Sequence, residues 1–165
     1  MNRAAIYAGT FDPITLGHLD VIERASRIFP RLVVAVASST AKKTLFTPSE
    51  RVGIIREAVA QWRSVEVEAF DGLLVAYARR KRIHVVIRGL RMFSDFEFEF
   101  QMALTNRTLA PDVETLFLMP KEDYSYLSSS TVREIAELGG NVAEFVPPAS
   151  LRALREKLGA RPVGG

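Results

Sequence analysis

The chain contains no cysteine and only two histidines, His18 and His84. Disulfide staples, thiolate zinc sites, iron–sulfur clusters and cysteine nucleophiles are therefore excluded, and so is a metal cage built from several histidines. Long apolar runs are missing too. None approaches the ~18 residues of a spanning helix, and the apolar stretch between Arg3 and Gly9 is too short for the core of a signal peptide. A soluble, cytoplasmic protein without a membrane partner is expected. Charge of one sign is scarce as well. The 22 Lys and Arg against 19 Asp and Glu leave +3 with no polybasic tail, a slight inclination toward anionic ligands.

What is present describes one domain. A length of 165 residues with 48% hydrophobic content suits a single core that needs no covalent staple. Short β-branched runs at 3–8, 32–37, 64–69, 83–87 and 113–118 read as strands, several of them apolar on both faces. Helical patterns fall between and after them, at 17–29, 48–62, 72–81, 94–110, 130–138 and 149–158, with a flexible tail expected over 159–165. Thr47-Pro48-Ser49-Glu50 has the spacing of a capping box with proline at the first helical position, and Ser94-Asp95-Phe96-Glu97 repeats the box. This alternation predicts an α/β fold, a doubly wound parallel sheet of five strands with right-handed crossovers.

One segment carries two periods. Asp95 to Phe100 alternates as a strand would, yet the pattern continues through Leu104 behind a capping box, which favours a helix. On that helix Phe96, Phe100, Ala103 and Leu104 form one apolar stripe, and Phe98, Met102 and Leu109 form a second. The second stripe is expected either in the core or at a subunit contact.

Three clusters fall where such a sheet binds ligands, at the carboxyl ends of its strands. GTFDPITLGH, residues 9–18, follows the first strand and opens the first helix. It lacks both the GxGxxG fingerprint and the P-loop lysine, but offers the Thr10 hydroxyl and the His18 imidazole beside a helix N-terminus. A local capping or packing role for His18 is the plainer alternative. Arg88-Gly89-Leu90-Arg91 follows the fourth strand, where planar guanidinium groups can grip phosphate oxygens; the alternative is an ion pair with Asp95 or Glu97. Ser128-Ser129-Ser130-Thr131 opens a helix after the fifth strand, as an anion cradle or as a plain cap. Lys42-Lys43 adds a cation at the same rim, or a solvated surface pair. Together the clusters point to a polyphosphate site with little acid or base machinery.

These residues also carry a family resemblance. GTFDPITLGH, RGLR, DFEFEFQMALTNR and YLSSSTVRE together resemble phosphopantetheine adenylyltransferases, over nearly the whole chain, within the nucleotidyltransferase superfamily that bears the HxGH or TxGH signature. The resemblance implies a Rossmann-like nucleotidyltransferase fold and transfer of the adenylyl group of ATP to 4′-phosphopantetheine, giving dephospho-coenzyme A and pyrophosphate. By position it implies an ATP site of Thr10, Phe11, His18, Gly89, Leu90, Arg91, Glu99, Tyr124, Ser125, Tyr126, Leu127, Ser128, Ser129 and Ser130. It implies a substrate site of Thr10, Lys42, Leu74 and Arg88, with Asn106 nearby. His18, Thr10, Lys42 and Arg91 are the implied catalytic set. Mg²⁺ is expected to travel with the ATP phosphates rather than on protein ligands. A homohexamer and feedback inhibition by coenzyme A are implied as well. The chain departs from the common pattern at Ala8, Leu127 and Tyr124, none of which removes a charged or hydroxyl group.

Three rival functions were weighed. One is a nucleotidyltransferase for another phosphorylated acceptor, against which RGLR and FEFEFQ argue. Another is a nucleotide-binding sensor without turnover. The third, a nucleic-acid module, needs a basic patch with exposed aromatics, whereas the phenylalanines here lie on apolar stripes. No nucleic-acid partner is therefore expected.

Overall fold

The computed structural model describes residues 3–40 and 43–159, so the expectations for Lys42 and for 160–165 fall outside the described residues. Five strands, β1 (Ala4–Gly9), β2 (Arg31–Ala37), β3 (Val65–Phe70), β4 (Val85–Gly89) and β5 (Glu114–Leu118), alternate with α1 (Leu16–Ile28), α2 (Pro48–Ala58), α3 (Leu74–Lys81) and α4 (Phe93–Leu109). A one-turn 3-10 helix (Glu122–Tyr124), α5 (Ser129–Glu137) and α6 (Pro148–Leu158) follow. The sheet is parallel throughout, in the order β3-β2-β1-β4-β5. The chain winds outward from β1 to β3, then returns to lay β4 on the other side of β1. The connections leaving β1 and β4 therefore diverge, and a crevice opens between them at the carboxyl edge.

The continuous apolar runs explain why this sheet is covered on both faces. Successive side chains point to opposite sides, so Tyr7, Leu32, Val34, Val36 and Ile87 pack toward one layer with Val21 and Ile22 of α1, Ile55 of α2, Val132 of α5 and Leu154 of α6. Ile6, Val33, Ala35 and Val86 pack the other way, with Val75, Tyr77 and Ala78 of α3 and with Ala110 and Val113 after α4. Full burial of each Val, Leu or Ile contributes about 1.5–3 kcal/mol. Among the described residues no helix is long and apolar enough to cross a membrane.

Several boundaries differ from the sequence expectation, each for a local reason. The fourth strand begins at Val85 rather than 83, because Arg82 closes α3 in a left-handed conformation (φ 55°) and the Ile83 N–H donates to the Ala78 carbonyl. Arg88 and Gly89 thus end the strand, in register with Phe117 and Leu118, instead of following it. Helix α2 stops at Ala58, and the next residues turn back with the Trp62 N–H on the Val59 carbonyl. Helix α3 starts two residues late because Gly72 has φ 79°. Helix α4 starts one residue early, at Phe93. Its start is not the expected Ser94 box: the Asp95 carboxylate reaches back to the Met92 and Arg91 N–H groups, each at 3.3 Å. Neither stripe of α4 enters the core of the chain, for Phe96, Phe98, Phe100, Met102, Leu104 and Leu109 are all exposed.

Candidate active site

The loop between β1 and α1 is held from behind by side chains of three other helices. Its carbonyls accept in turn from Arg51 Nη1 of α2 (Thr10, 2.7 Å), Arg133 Nη1 of α5 (Asp12), Ser129 Oγ of α5 (Pro13, 2.7 Å) and Ser150 Oγ of α6 (Ile14, 2.8 Å). Asp12 is buried beneath the loop. Its carboxylate accepts from the Leu45 and Phe46 N–H groups at 2.8 and 2.9 Å and faces Arg133 at 3.2 Å. The Asp12–Pro13 peptide is cis. Phe11 has φ 51°, a left-handed conformation that costs a bulky residue about 1–3 kcal/mol. The Phe11 ring meets Tyr7 and His18 edge-on, with centroids 5.3 and 5.0 Å away. Gly9 makes room for it, since a Cβ at that position would come within 2.9 Å of Phe11 Cζ.

His18 performs the capping role and lines the cleft as well. Thr15 is the N-cap of α1, its Oγ1 accepting from the His18 N–H at 3.4 Å, while His18 Nδ1 accepts from the Thr15 N–H at 3.0 Å. A backbone N–H can only donate, so Nδ1 carries no proton and the neutral ring keeps its hydrogen on Nε2. Burial, reinforced by the Arg91 and Arg88 charges, pushes the imidazole pKa down to about 3. At neutral pH the group is a donor aimed by its own helix start, and it does not serve as a cation.

The two arginines at the carboxyl end of β4 are ion-paired, as the plainer alternative held, though the second partner is Glu99 and not Glu97. Arg88 donates from Nε and Nη2 to the two Glu99 oxygens at 2.9 and 2.7 Å, and from Nη1 to the Ala8 carbonyl at 2.7 Å. Burial disfavours its charge, but the Glu99 hydrogen bonds and charge outweigh that and raise its pKa. Three of its five N–H groups are occupied, which leaves one on each terminal nitrogen. Arg91 donates to the Leu127 carbonyl at 2.6 Å and to Asp95 at 3.2 Å, tying the β4 edge to the segment before α5. Ser128 caps α5 by accepting from the Thr131 N–H at 3.1 Å.

A cleft of about 230 Å³ brings these groups together: Thr10, Phe11, His18, Arg88, Gly89, Arg91, Glu99, Leu127, Ser128, Ser129 and Ser130 all line it. The remaining implied residues stand back from its wall. Leu90 donates its N–H to the Leu118 carbonyl at 3.0 Å, and Ser125 Oγ donates to the Glu122 carbonyl at 2.8 Å. Tyr124 backs onto Gly17, and Tyr126 is exposed with its ring against Phe145. Leu74 opens α3 and packs against its core layer, and Asn106 is half-buried on α4, two turns beyond Glu99. Tyr7 is a lining residue that the sequence did not single out. Burial raises its pKa beyond the ordinary range, and its hydroxyl lies against Gly89. Asp12, Arg51, Arg133 and Ser150, which fix the loop, were missed as well. Buried polar side chains at helical spacing look in sequence like a solvated face.

Residues 6–135 match the cytidylyltransferase-like family model. The phosphopantetheine adenylyltransferase of Methylococcus capsulatus is 57% identical over 157 residues, covering 95% of this chain and 97% of the relative. That of Anaeromyxobacter dehalogenans is 54% identical, covering 98% and 99%. Among solved structures, a Vibrio parahaemolyticus protein described as a putative nicotinate-nucleotide adenylyltransferase superposes with a TM-score of 0.72 at 16% identity, over 93% of this chain and 99% of that one. That likeness shows the nucleotidyltransferase fold, of Rossmann-like type. The chain belongs to the phosphopantetheine adenylyltransferase family of the cytidylyltransferase-like nucleotidyltransferases.

Proposed function

We propose that this chain transfers the adenylyl group of ATP to 4′-phosphopantetheine, forming dephospho-coenzyme A and pyrophosphate in coenzyme A biosynthesis. The observation that carries the reading is the cleft itself, where a neutral imidazole donor, a hydroxyl, two arginines and a serine-lined helix start converge. The acceptor phosphate is already ionised, with a charge of about −1.5 to −2, so no base is needed. One of its oxygens bonds to the α-phosphorus as the bond from that phosphorus to the pyrophosphate oxygen breaks, and the electron pair leaves with pyrophosphate. What the protein supplies is alignment and neutralisation of charge. His18 Nε2–H and the Thr10 hydroxyl serve the α-phosphoryl oxygens. The free N–H edge of Arg88 holds the acceptor phosphate, with Lys42 as a second cation. Arg91, the Ser130 hydroxyl and the Ser128–Ser130 backbone amides hold the leaving phosphates.

The donor set suits a Mg²⁺ carried in on the triphosphate. Both carboxylates lining the cleft, Asp95 and Glu99, are paired with arginines, and no group of three His, Asp or Glu able to hold a metal occurs among the described residues. Such an ion would shield phosphate charge, and the Thr10 and Ser130 hydroxyls on the cleft wall are the protein oxygens that could help hold it. The exposed apolar stripes of α4 support assembly into a homohexamer. Coenzyme A contains the acceptor's own phosphopantetheine arm, so its competition for the acceptor site would give feedback inhibition, and a cytoplasmic location accords with the cysteine-free sequence.

The test is pyrophosphate release from purified protein and Mg²⁺, with ATP or CTP supplied alongside 4′-phosphopantetheine, nicotinate mononucleotide or a polyol phosphate. ATP with phosphopantetheine is expected to be the one productive pair. Turnover with a different acceptor would reassign the substrate, and tight ATP binding without pyrophosphate release would make the protein a sensor.

A further inference from the structure

Two non-glycine residues among those described have positive φ, Phe11 at 51° and Arg82 at 55°. Arg82 ends a helix, where this backbone is ordinary. Phe11 ends no helix, so something else must hold it. The carbonyl of Thr10 and the N–H of Phe11 belong to one rigid peptide plane, so turning that plane changes the φ of Phe11. Arg51 grips that carbonyl. Its Nη1 donates to Thr10 O at 2.7 Å and to Ala37 O at 3.0 Å, and its Nε donates to Phe46 O at 3.1 Å. A single guanidinium, 1% exposed, thereby joins the ends of β1 and β2 to the residue ahead of α2's cap. Its neighbouring carboxylate, Asp12, is engaged by the Leu45 and Phe46 N–H groups and by Arg133.

We infer that Arg51 is a positioning residue for adenylyl transfer: it locks the 10–11 peptide so that Phe11 keeps its left-handed backbone, and thereby sets Thr10 and the His18 imidazole. Arg51 does not line the cleft and acts through these neighbours. Without its grip the 10–11 peptide turns toward the negative φ that an aromatic residue prefers. The Phe11 ring then withdraws from its edge contact with His18, and Thr10 loses its aim. The inference rests on the adenylyl-transfer reading for its kinetic part only.

The experiment compares Arg51→Lys with Arg56→Lys. Arg56 makes the same kind of bond, to the Val67 carbonyl on β3 at 3.0 and 3.3 Å, but lines no part of the cleft. A lysine cannot reproduce the planar fork that reaches three carbonyls. Both variants are assayed at a temperature where circular dichroism shows them folded, for kcat, for KM with each substrate, and for the ring-proton NMR signal of His18. With two histidines in the chain, that signal is assigned by elimination against His84→Gln.

In Arg51→Lys, kcat is expected to fall roughly 10²-fold, with KM for ATP within about threefold and the His18 signal shifted as the Phe11 ring current leaves it. In Arg56→Lys, Tm drops while kcat and the His18 signal hold. Unchanged kcat with an unmoved His18 signal in folded Arg51→Lys overturns the inference, as does an equal kcat loss in Arg56→Lys. Should Arg51→Lys fail to fold, Arg51→Gln, which buries no charge, takes its place. Failure of both makes Arg51 a stability residue and rejects the assignment. Wild-type protein that releases no pyrophosphate, yet whose His18 signal moves in Arg51→Lys, refutes the proposed reaction and upholds the Arg51 geometry.

Discussion

Replacing His18 by glutamine separates what its imidazole does as a titrating group from what it does as a cap. Glutamine is a usual third residue of a capping box, so His18→Gln retains an acceptor for the Thr15 N–H and loses the ionisation. The imidazole pKa is pushed down to about 3 in the folded chain, against about 6.5 in an unfolded one. Between those values the unfolded chain takes up a proton that the folded chain refuses. Stability from this group is therefore complete above about pH 6.5 and is lost as pH falls toward 3. Between pH 7 and pH 5 the wild-type chain should lose about 2 kcal/mol more than the variant. Urea unfolding of both proteins at pH 7, 6 and 5 measures this as the difference between their extrapolated free energies. A difference that stays constant over that range would falsify the neutral, shielded imidazole, and with it the assignment of Nε2–H as the donor.

Asp12→Ala strips the Leu45 N–H and the buried Phe46 N–H of their acceptor and leaves Arg133 without its carboxylate; thermal or urea unfolding should show a loss of about 3–5 kcal/mol. A loss below about 1 kcal/mol would mean that water replaces the carboxylate. His18→Ala should lower kcat roughly 10²–10³-fold with a smaller effect on ATP affinity, and an equal loss of affinity at unchanged kcat would contradict a transition-state role. Arg88→Ala should chiefly raise KM for phosphopantetheine, and steady-state kinetics showing a selective ATP defect instead would move Arg88 to the nucleotide side of the cleft.

The sheet was legible because its strands are written as apolar runs that tolerate cover on both faces, and because Thr47 to Glu50 marks the start of one of the helices that cover them. The cleft-lining groups were legible for a different reason. Thr10, His18, Arg88, Arg91 and Ser128 all stand at the carboxyl ends of strands, where a parallel sheet leaves little choice of location. What stayed hidden was the underside of the loop. Arg51 lies in a run, Ser49 to Arg56, whose charges alternate with apolar residues as on any surface helix, and nothing local reveals that this guanidinium faces inward while Arg56 reaches the edge. Hydrogen bonds that join residues more than a hundred positions apart leave no periodic trace. The β4 boundary shows the same limit at short range. His84 and Ile83 have strand character, yet a left-handed closure at Arg82, set by the end of α3, delays the ladder by two residues.

The bonds from Ser129 to Pro13, Arg133 to Asp12 and Ser150 to Ile14 span 116, 121 and 136 residues. During synthesis the fifth strand is complete at Leu118, before any of those three donors has been translated. A polypeptide terminated there possesses all five strands described and the signature motif, but of the four side-chain donors to its glycine loop's carbonyls it has only Arg51, besides the Asp12 bonds to Leu45 and Phe46. Chains stopped at Leu118 should therefore be inert, with no graded remnant of activity, and the ribosome must deliver the chain through Ser150 before a working crevice exists.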